Sequence, residues 1–439
     1  MKEQLCQDMQ VVVLMGGLGT RLGVDVPKSM VNVCGWPFFR YQFELMRQWG
    51  FRKFVFCVGH GAEDIVSYFG DGEWLDVNIT YSYDGDTPLG TGGAIKKAMP
   101  YLEDNFMVIY GDSYMDINYL ELIVKYKQEV KRGRYGLMAI MNNHNQYDIS
   151  NVECYNGEII EYSKKEPNLF MDYIDYGISI FRKEVFSLFL INRFDLSQVH
   201  DILIRSKILG NYVVTRRFYE IGTPAALEEF REYVDTYLIS AKKAIFLDRD
   251  GVINKPVWND AYEQLDSPLK EEQVELIPGA VEGLRKLQED YLLFIVTNQP
   301  AAAKGKTSYT RLCKVNNYII EKLKEEGVNI TDYQLCPHYP NAQPETKEFF
   351  LIQNCDCRKP KEGMITFLMD KYSIIPEQSW MIGDFYTDIE CGRRAGVKTA
   401  FIGNYKCDTC AMLNHNKPDL ICDNLDDFAH ALTGGKDVF

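Results

Sequence analysis

Lys243-Ala244-Ile245-Phe246-Leu247-Asp248-Arg249-Asp250-Gly251-Val252-Ile253-Asn254 lies just past the middle of a 439-residue chain. The apolar run before Asp248 reads as a buried strand. It ends in two aspartates one residue apart, followed by Gly251, a residue that accepts a tight turn. Parallel α/β sheets hold their ligands beyond the carboxyl ends of their strands, so these carboxylates stand where chemistry is done. At this spacing they can share one Mg²⁺ and still divide the work, Asp248 as nucleophile and Asp250 as proton donor to a leaving group. Asp250-Gly251 alone is also an ordinary turn signal, and the order of the segments that follow decides against that bland reading.

Three segments come in sequence. Phe294-Ile295-Val296-Thr297-Asn298-Gln299 is a second apolar strand ending in a hydroxyl and an amide suited to phosphoryl oxygens. Arg358-Lys359-Pro360-Lys361 supplies cations, and Met381-Ile382-Gly383-Asp384 adds a carboxylate at a strand end, with Asp388 four residues on. This order resembles the haloacid dehalogenase-like phosphatases, in particular the branch acting on heptose 1,7-bisphosphate. The resemblance implies that Asp248 forms an aspartyl phosphate, that Asp250 serves as general acid and then base, and that Asp248, Asp250 and Asp384 hold Mg²⁺. It also implies that Thr297, Asn298, Arg358 and Lys359 grip the phosphorylated sugar.

Toward the amino terminus, Val11-Val12-Val13-Leu14-Met15 reads as another buried strand, followed at once by Gly16-Gly17-Leu18-Gly19-Thr20-Arg21. Glycines after a strand let backbone N–H groups approach and cradle phosphates. Such a loop alone is a weak signal. Val26-Pro27-Lys28 adds a cation on a rigid approach, and Phe106 to Tyr110 runs as a strand into Gly111-Asp112, a hard-cation ligand. Together these resemble the sugar-phosphate nucleotidyltransferases, most closely the guanylyltransferases acting on heptose 1-phosphate. By that resemblance Gly16, Gly17, Gly19, Thr20 and Arg21 bind the nucleoside triphosphate, with Lys28 on its phosphates. Gly90, Thr91 and Gly92 form a second glycine-rich loop that reads base and sugar. Lys164, next to Lys165, contacts the sugar phosphate, Asp175 lies in the sugar pocket, and Asp112 and Glu220 hold Mg²⁺. The commonest pattern has aspartate where Glu220 stands, and the extra methylene must be absorbed by a retracted side chain or a water. Such chemistry is in-line displacement by positioning and charge neutralisation, with Arg21 and Lys28 as the catalytic cations.

Cys336-Pro337-His338 and Cys355-Asp356-Cys357 offer three thiolates and an imidazole in two tight pairs separated by 16 residues. Four soft ligands in this spacing fit a closed, tetrahedral and therefore structural Zn²⁺ site that would clamp the intervening loop. The phosphatase branch carries a zinc loop of this form. Cys407 and Cys410 make a further pair, read as ordinary thiols.

Composition bounds the rest. A formal charge of −14 argues against a nucleic-acid partner, while local Lys and Arg clusters still admit anionic small molecules. There is no bilayer-length apolar run and no signal-like start, and 12 scattered cysteines suit reduced thiols, so the expectation is a cytoplasmic protein. Whether it forms a homo-oligomer is left open.

The fold expected is α/β in two domains, residues 1–238 and 239–439, each a doubly wound, mostly parallel sheet with flanking helices. Strands are expected at Phe54 to Val58 and Leu137 to Met141. Helices are expected at Asn118 to Lys131, Glu184 to Ile191, Pro224 to Ala241, Pro278 to Gln288 and Thr310 to Glu326, with a loop-like insertion at 255–275. The functional expectation is a bifunctional enzyme that dephosphorylates heptose 1,7-bisphosphate and joins heptose 1-phosphate to GMP from GTP. The rivals are the same two chemistries on other substrates, histidinol phosphate or another nucleotide among them, and one domain kept only as a binding module.

Overall fold

The computed structural model describes residues 4–17, 22–23, 26–85, 87–259, 263–403 and 417–433. Gly19, Thr20 and Arg21 of the first glycine loop lie outside them, as do Cys407 and Cys410. The chain divides into two compact units, Lys2–Asp235 and Thr236–Phe439.

In the second unit the stretch Ala244–Leu247 is a central, wholly buried strand. Six strands run in the order Asp332–Cys336, Leu292–Asn298, Ala244–Leu247, Trp380–Gly383, Lys398–Ile402 and Leu420–Cys422, every pair parallel. Strands covered on both faces need continuous apolar runs, which these segments have. From Ala244–Leu247 the chain steps outward through two strands on one side, then crosses back to Trp380–Gly383 on the other. That reversal opens a crevice at the carboxyl end of Ala244–Leu247, where Asp248 stands. Ile245, Leu247, Ile295 and Ile382 pack one face with Leu284, Ile319 and Phe428 from the helices Ala280–Leu287, Tyr309–Glu325 and Leu425–Thr433.

The first unit has a nine-stranded sheet that is mixed rather than mostly parallel. Its parallel part runs Asn105–Tyr110, Gln10–Leu14, Lys53–Val58, Asn78–Tyr83, again with the glycine loop at the strand where the order reverses. Tyr173–Arg182 enters antiparallel between Asn105–Tyr110 and Gly136–Asn142, because the chain reaches it through the short meander Val152–Tyr155 and Glu158–Tyr162 instead of a crossover helix. Its register breaks between Asp175 and Ser179, around Gly177 at φ 85°. A bulge of this kind re-aims the side chains beside it.

Helix expectations hold at Tyr119–Lys131, capped by the Asn118 side chain, and at Ala280–Leu287 and Tyr309–Glu325. Pro224–Tyr233 starts as expected, with Thr223 capping and Pro224 at the first turn, then widens into a π-helix over Val234–Ile239. Glu184 to Ile191 does not form a full helix. Glu184–Ser187 buries Val185 and Phe186, while Leu188, Leu190 and Ile191 are exposed with no surface to pack a continuation. The 255–275 insertion contains a two-stranded hairpin, Val257–Asn259 with Gln264–Asp266.

Two candidate active sites and a candidate metal centre

In the second unit Asp248 leaves Ala244–Leu247, Thr297 and Asn298 end the strand on one side, and Asp384 follows the strand on the other. Three adjacent strand ends thus converge. Gly251 lets this happen: its φ is 88°, and any Cβ there would collide with the Asp384 carboxylate. Asp248, Asp384 and Asp388 bring carboxylate oxygens within 4.8 Å of one another. Lys359 Nζ lies 2.8 Å from Asp248 and 2.6 Å from Asp388. Burial works against its charge, but the two carboxylates prevail and hold it above the ordinary lysine range. Burial, then the Asp248 and Asp388 charges, push Asp384 up to about 8, and burial raises Asp388 to about 6 despite Lys359. One lysine is too little cation for three clustered carboxylates, one buried and two half-buried, the condition a divalent ion relieves.

The third carboxylate of this cluster is Asp388, not the expected Asp250. The Asp250 carboxylate is taken up by its own neighbours. It accepts from Arg249 at 3.0–3.2 Å, Asn254 at 2.9 Å, Ser267 at 2.8 Å and Gln299 at 2.6 Å. Burial alone would raise it, but Arg249 and these donors hold it below the usual carboxylate range. Thr297 Oγ1 accepts from Gln299 at 3.0 Å, and Asn298 clasps the Lys359 backbone through two hydrogen bonds of 3.0 and 3.1 Å. Asn298 therefore positions Lys359.

The cysteine constellation comes together. One ligand atom each from Cys336, His338, Cys355 and Cys357 lies within 4.8 Å of the others, with Sγ–Sγ distances of 3.3 and 3.7 Å and His338 Nδ1 3.2 Å from Cys357. Tetrahedral Zn–S bonds of about 2.3 Å imply sulfurs about 3.8 Å apart, so the donor set and its size fit that ion. Arg358 follows Cys357 directly and donates to the His338 carbonyl at 3.3 Å.

In the first unit a cavity of about 470 Å³ opens at the carboxyl ends of the parallel strands, lined among others by Gly16, Gly17, Lys28, Gly90, Thr91, Asp112 and Glu220. Lys28 Nζ meets Asp112 at 2.9 Å. Tyr219–Glu220 pairs antiparallel with Ser113–Tyr114, and Ile221 N–H donates to the Asp112 carbonyl at 3.1 Å, so backbone bonds tie the two metal-candidate carboxylates together. Glu220 is exposed at its outer edge, yet the cavity wall and then Asp112 raise its carboxyl. Gly92 plays a different part from the one expected. It is buried, and a Cβ there would strike the Phe194 ring, while Gly92 and Gly93 N–H both donate to the Phe194 carbonyl at 3.0 Å. Thr91 Oγ1 accepts from Leu196 N–H at 2.8 Å.

Lys164, rather than Lys165, reaches Asp175, at 3.4 Å. The bulge at Gly177 sets the Asp175 carboxylate, which accepts from Gly177 N–H at 3.0 Å and Tyr162 OH at 2.9 Å. Burial would raise Asp175, but Lys164 and these donors hold it low. Sequence reasoning left out Tyr162, Ser267, Gln299 and Arg249, and it gave Asp388 no role. Only Asp388 carried a signal, its place four residues after Asp384. Arg249 acts on its chain neighbour Asp250, and Tyr162, Ser267 and Gln299 act through contacts between segments 13 to 49 residues apart. Asp84 and Asp195, both in the cavity wall, were likewise passed over.

Two family models match the chain: Nucleotidyl transferase over residues 10–217 and HAD-hydrolase-like over 356–428. The chain is 36% identical over 189 residues to a D-glycero-beta-D-manno-heptose-1,7-bisphosphate 7-phosphatase of Haemophilus ducreyi, covering 42% of this chain and 96% of that protein. It is 40% identical over 162 residues to the D-glycero-alpha-D-manno counterpart of Photorhabdus laumondii, covering 36% and 81%. It is 30% identical over 226 residues to a D-glycero-alpha-D-manno-heptose 1-phosphate guanylyltransferase of Campylobacter jejuni, covering 49% and 96%.

Proposed function

We propose that this chain, which belongs over its first half to the nucleotidyl transferase family of the heptose 1-phosphate guanylyltransferases and over its second to the HAD-like heptose bisphosphate 7-phosphatases, catalyses two consecutive reactions. The second unit removes the C7 phosphate from D-glycero-α-D-manno-heptose 1,7-bisphosphate. The first joins the resulting heptose 1-phosphate to GMP from GTP, releasing pyrophosphate and GDP-heptose. The observation that carries this reading is the fusion itself: each half matches a near-complete relative, and the product of one relative is the acceptor of the other. The α-anomer follows from the guanylyltransferase partner, since the phosphatase relatives include both anomers.

In the phosphatase unit an Asp248 oxygen attacks the C7 phosphorus, and the sugar oxygen leaves with a proton from Asp250. Water, deprotonated by Asp250, then releases phosphate from the aspartyl phosphate. Asp250 is ionised within its ring of donors, ready for the second step. For the first it takes up a proton as the anionic phosphoryl group arrives beside it. Lys359 offsets charge on Asp248 and the transferring group, and Thr297, Asn298 and Arg358 complete the grip on the phosphorylated sugar. In the transferase unit a phosphate oxygen of the sugar attacks the α-phosphorus in line. The first glycine loop, Gly90 and Thr91 hold the nucleotide, Arg21 and Lys28 neutralise developing charge, and Lys164 and Asp175 hold the acceptor. Mg²⁺ would be held by Asp248, Asp384 and Asp388 in one unit and by Asp112 and Glu220 in the other, where it supplies charge neutralisation at phosphoryl oxygens. Zn²⁺ in the Cys336, His338, Cys355, Cys357 site would be structural.

The test is a single incubation of purified chain with Mg²⁺, GTP and the 1,7-bisphosphate, read by mass spectrometry beside an Asp248→Asn variant. GDP-heptose from the wild type and untouched bisphosphate from the variant are expected. Release of phosphate without a nucleotide sugar would remove the transferase half of the proposal.

A further inference from the structure

Asp250 is held by two kinds of neighbour. Arg249 and Asn254 belong to its own turn, where the Ile253 and Asn254 N–H groups both donate to the Arg249 carbonyl. Between them they occupy Oδ1 at 2.9–3.2 Å, and Arg249 Nη2 also reaches Oδ2 at 3.0 Å. The remaining bonds to Oδ2 come from elsewhere in the chain. Gln299, just past the strand Leu292–Asn298, donates at 2.6 Å, and Ser267 Oγ, from the 255–275 insertion, donates at 2.8 Å.

These partners differ in what a turnover asks of them. Asp250 gives a proton to the leaving oxygen and takes one back from water, so its carboxyl alternates between acceptor and donor. Arg249, Asn254 and Gln299 meet it through nitrogens, which only donate. Both amides are kept in that orientation by a second bond of 3.0 Å, Asn254 to the Lys255 carbonyl and Gln299 to Thr297 Oγ1. A hydroxyl donates and accepts, and it changes role by rotating one bond. Ser267 is thus the one partner of Asp250 among the described residues that can stay bonded to it in both forms. It differs in place as well: the other three are wholly buried, whereas Ser267 is half-buried and keeps access to solvent.

The backbone carrying Ser267 is itself fixed. Asp266 ends the insertion's hairpin and pairs with Lys306, whose side chain is 7% exposed. Ser267 N–H donates to the Asp266 carboxylate at 3.2 Å, and Pro268 is buried. A partner locked by its own neighbours can hold a catalytic group in register.

We propose that Ser267 is a positioning residue of the phosphatase: its hydroxyl keeps Oδ2 of Asp250 aimed through both proton transfers, and the 255–275 insertion serves catalysis by delivering it. The inference rests on the phosphatase reading, with Asp250 as general acid, and gives the insertion a part in that chemistry.

The experiment compares full-length wild type, Ser267→Ala and Ser267→Thr, each with Mg²⁺, on heptose 1,7-bisphosphate, fructose 1,6-bisphosphate and p-nitrophenyl phosphate. A sugar alkoxide needs a proton to leave, and a nitrophenolate does not. The ratio kcat/KM covers the steps up to departure of the leaving group, so the later attack of water does not enter it. In Ser267→Ala, kcat/KM for the heptose ester is expected to fall by about tenfold, part of what a general acid contributes, and that for the nitrophenyl ester to change by less than about twofold. Ser267→Thr keeps the hydroxyl and should restore the heptose ester to within about threefold of wild type. Loosening of the whole site would lower all esters together. Equal falls, no fall, or Ser267→Thr as poor as Ser267→Ala each overturn the role of Ser267 while leaving the phosphatase to stand. Cleavage of the fructose ester but not the heptose ester overturns the heptose assignment alone, and Ser267 is then judged on the ester cleaved. Wild type that cleaves only the nitrophenyl ester overturns the acid step and the role of Ser267 with it, and wild type that cleaves none overturns the phosphatase reading and this inference together.

Discussion

The two candidate active sites manage charge in opposite ways. In the second unit Lys359, with a side chain 1% exposed, is fixed between Asp248 and Asp388, and Asp250 is saturated by four neighbouring side chains. Lys359 and Asp250 are thus paired before any substrate arrives, although Arg249 Nη1, Asn254 Oδ1 and Gln299 Oε1 around them are buried with no partner among the described residues. In the first unit the Lys28–Asp112 pair has side chains 20% and 23% exposed and faces an open cavity. There the ligand completes the electrostatics. A polar network closed on itself stabilises the fold as well as serving chemistry, and removing a member leaves a buried charge behind. An open cavity can lose a charge and lose little but activity.

Lys359→Met is the strongest way to break this contrast. It leaves Asp248 and Asp388 unpaired in the interior, and we expect the second unit to lose about 3–5 kcal/mol of stability along with its phosphate release. Calorimetry that found the variant inactive but unshifted would put this site in the same class as the other. Lys28→Met is the matching test in the first unit. Nucleotidyl transfer should fall by about 10²–10³-fold, the scale for one lost electrostatic contact to a reacting phosphoryl group, while the melting profile stays in place. A large fall in melting temperature would show that the cavity too is a closed network.

Cys355→Ala sharpens the comparison by asking what holds the closed site closed. Bound zinc, about one per chain in the wild type, should disappear, and amide exchange over 339–354 should quicken. Phosphatase activity should fall because Arg358 and Lys359 hang directly on Cys357, and transfer from supplied heptose 1-phosphate should be unaffected. Zinc retained in the variant would remove the assignment. The smallest effect belongs to Thr91→Val. It deletes the acceptor for Leu196 N–H, and the first unit should lose about 1 kcal/mol in denaturant unfolding. If nucleotide affinity falls far more than stability, Thr91 is a ligand contact as well as a brace.

Much of the fold was legible because its strands are buried on both faces. Val11 to Leu14, Ala244 to Leu247 and Phe294 to Val296 are continuous apolar runs of strand length, as strands covered on both faces require. The antiparallel entry of Tyr173–Arg182 was not legible, since strand direction depends on which connection is short enough to return and not on the strand's own residues. The helix expected over Glu184 to Ile191 failed for a related reason. Apolar periodicity measures what could be buried, and Leu190 is 94% exposed.

What the sequence by itself determined is the chemistry on offer. Asp248, Asp384 and Asp112 each follow a strand end, Lys28 follows a proline, and Cys336, His338, Cys355 and Cys357 sit in two tight pairs, so short-range spacing carries them. Tertiary structure alone decided which groups complete which. It placed the carboxylate of Asp388 rather than that of Asp250 with Asp248 and Asp384, turned Gly92 to packing against Phe194, and gave Asp175 to Lys164. Those outcomes rest on contacts between segments from about ten to more than a hundred residues apart, whose energies exist only once the strands have registered and the side chains compete for the same few angstroms.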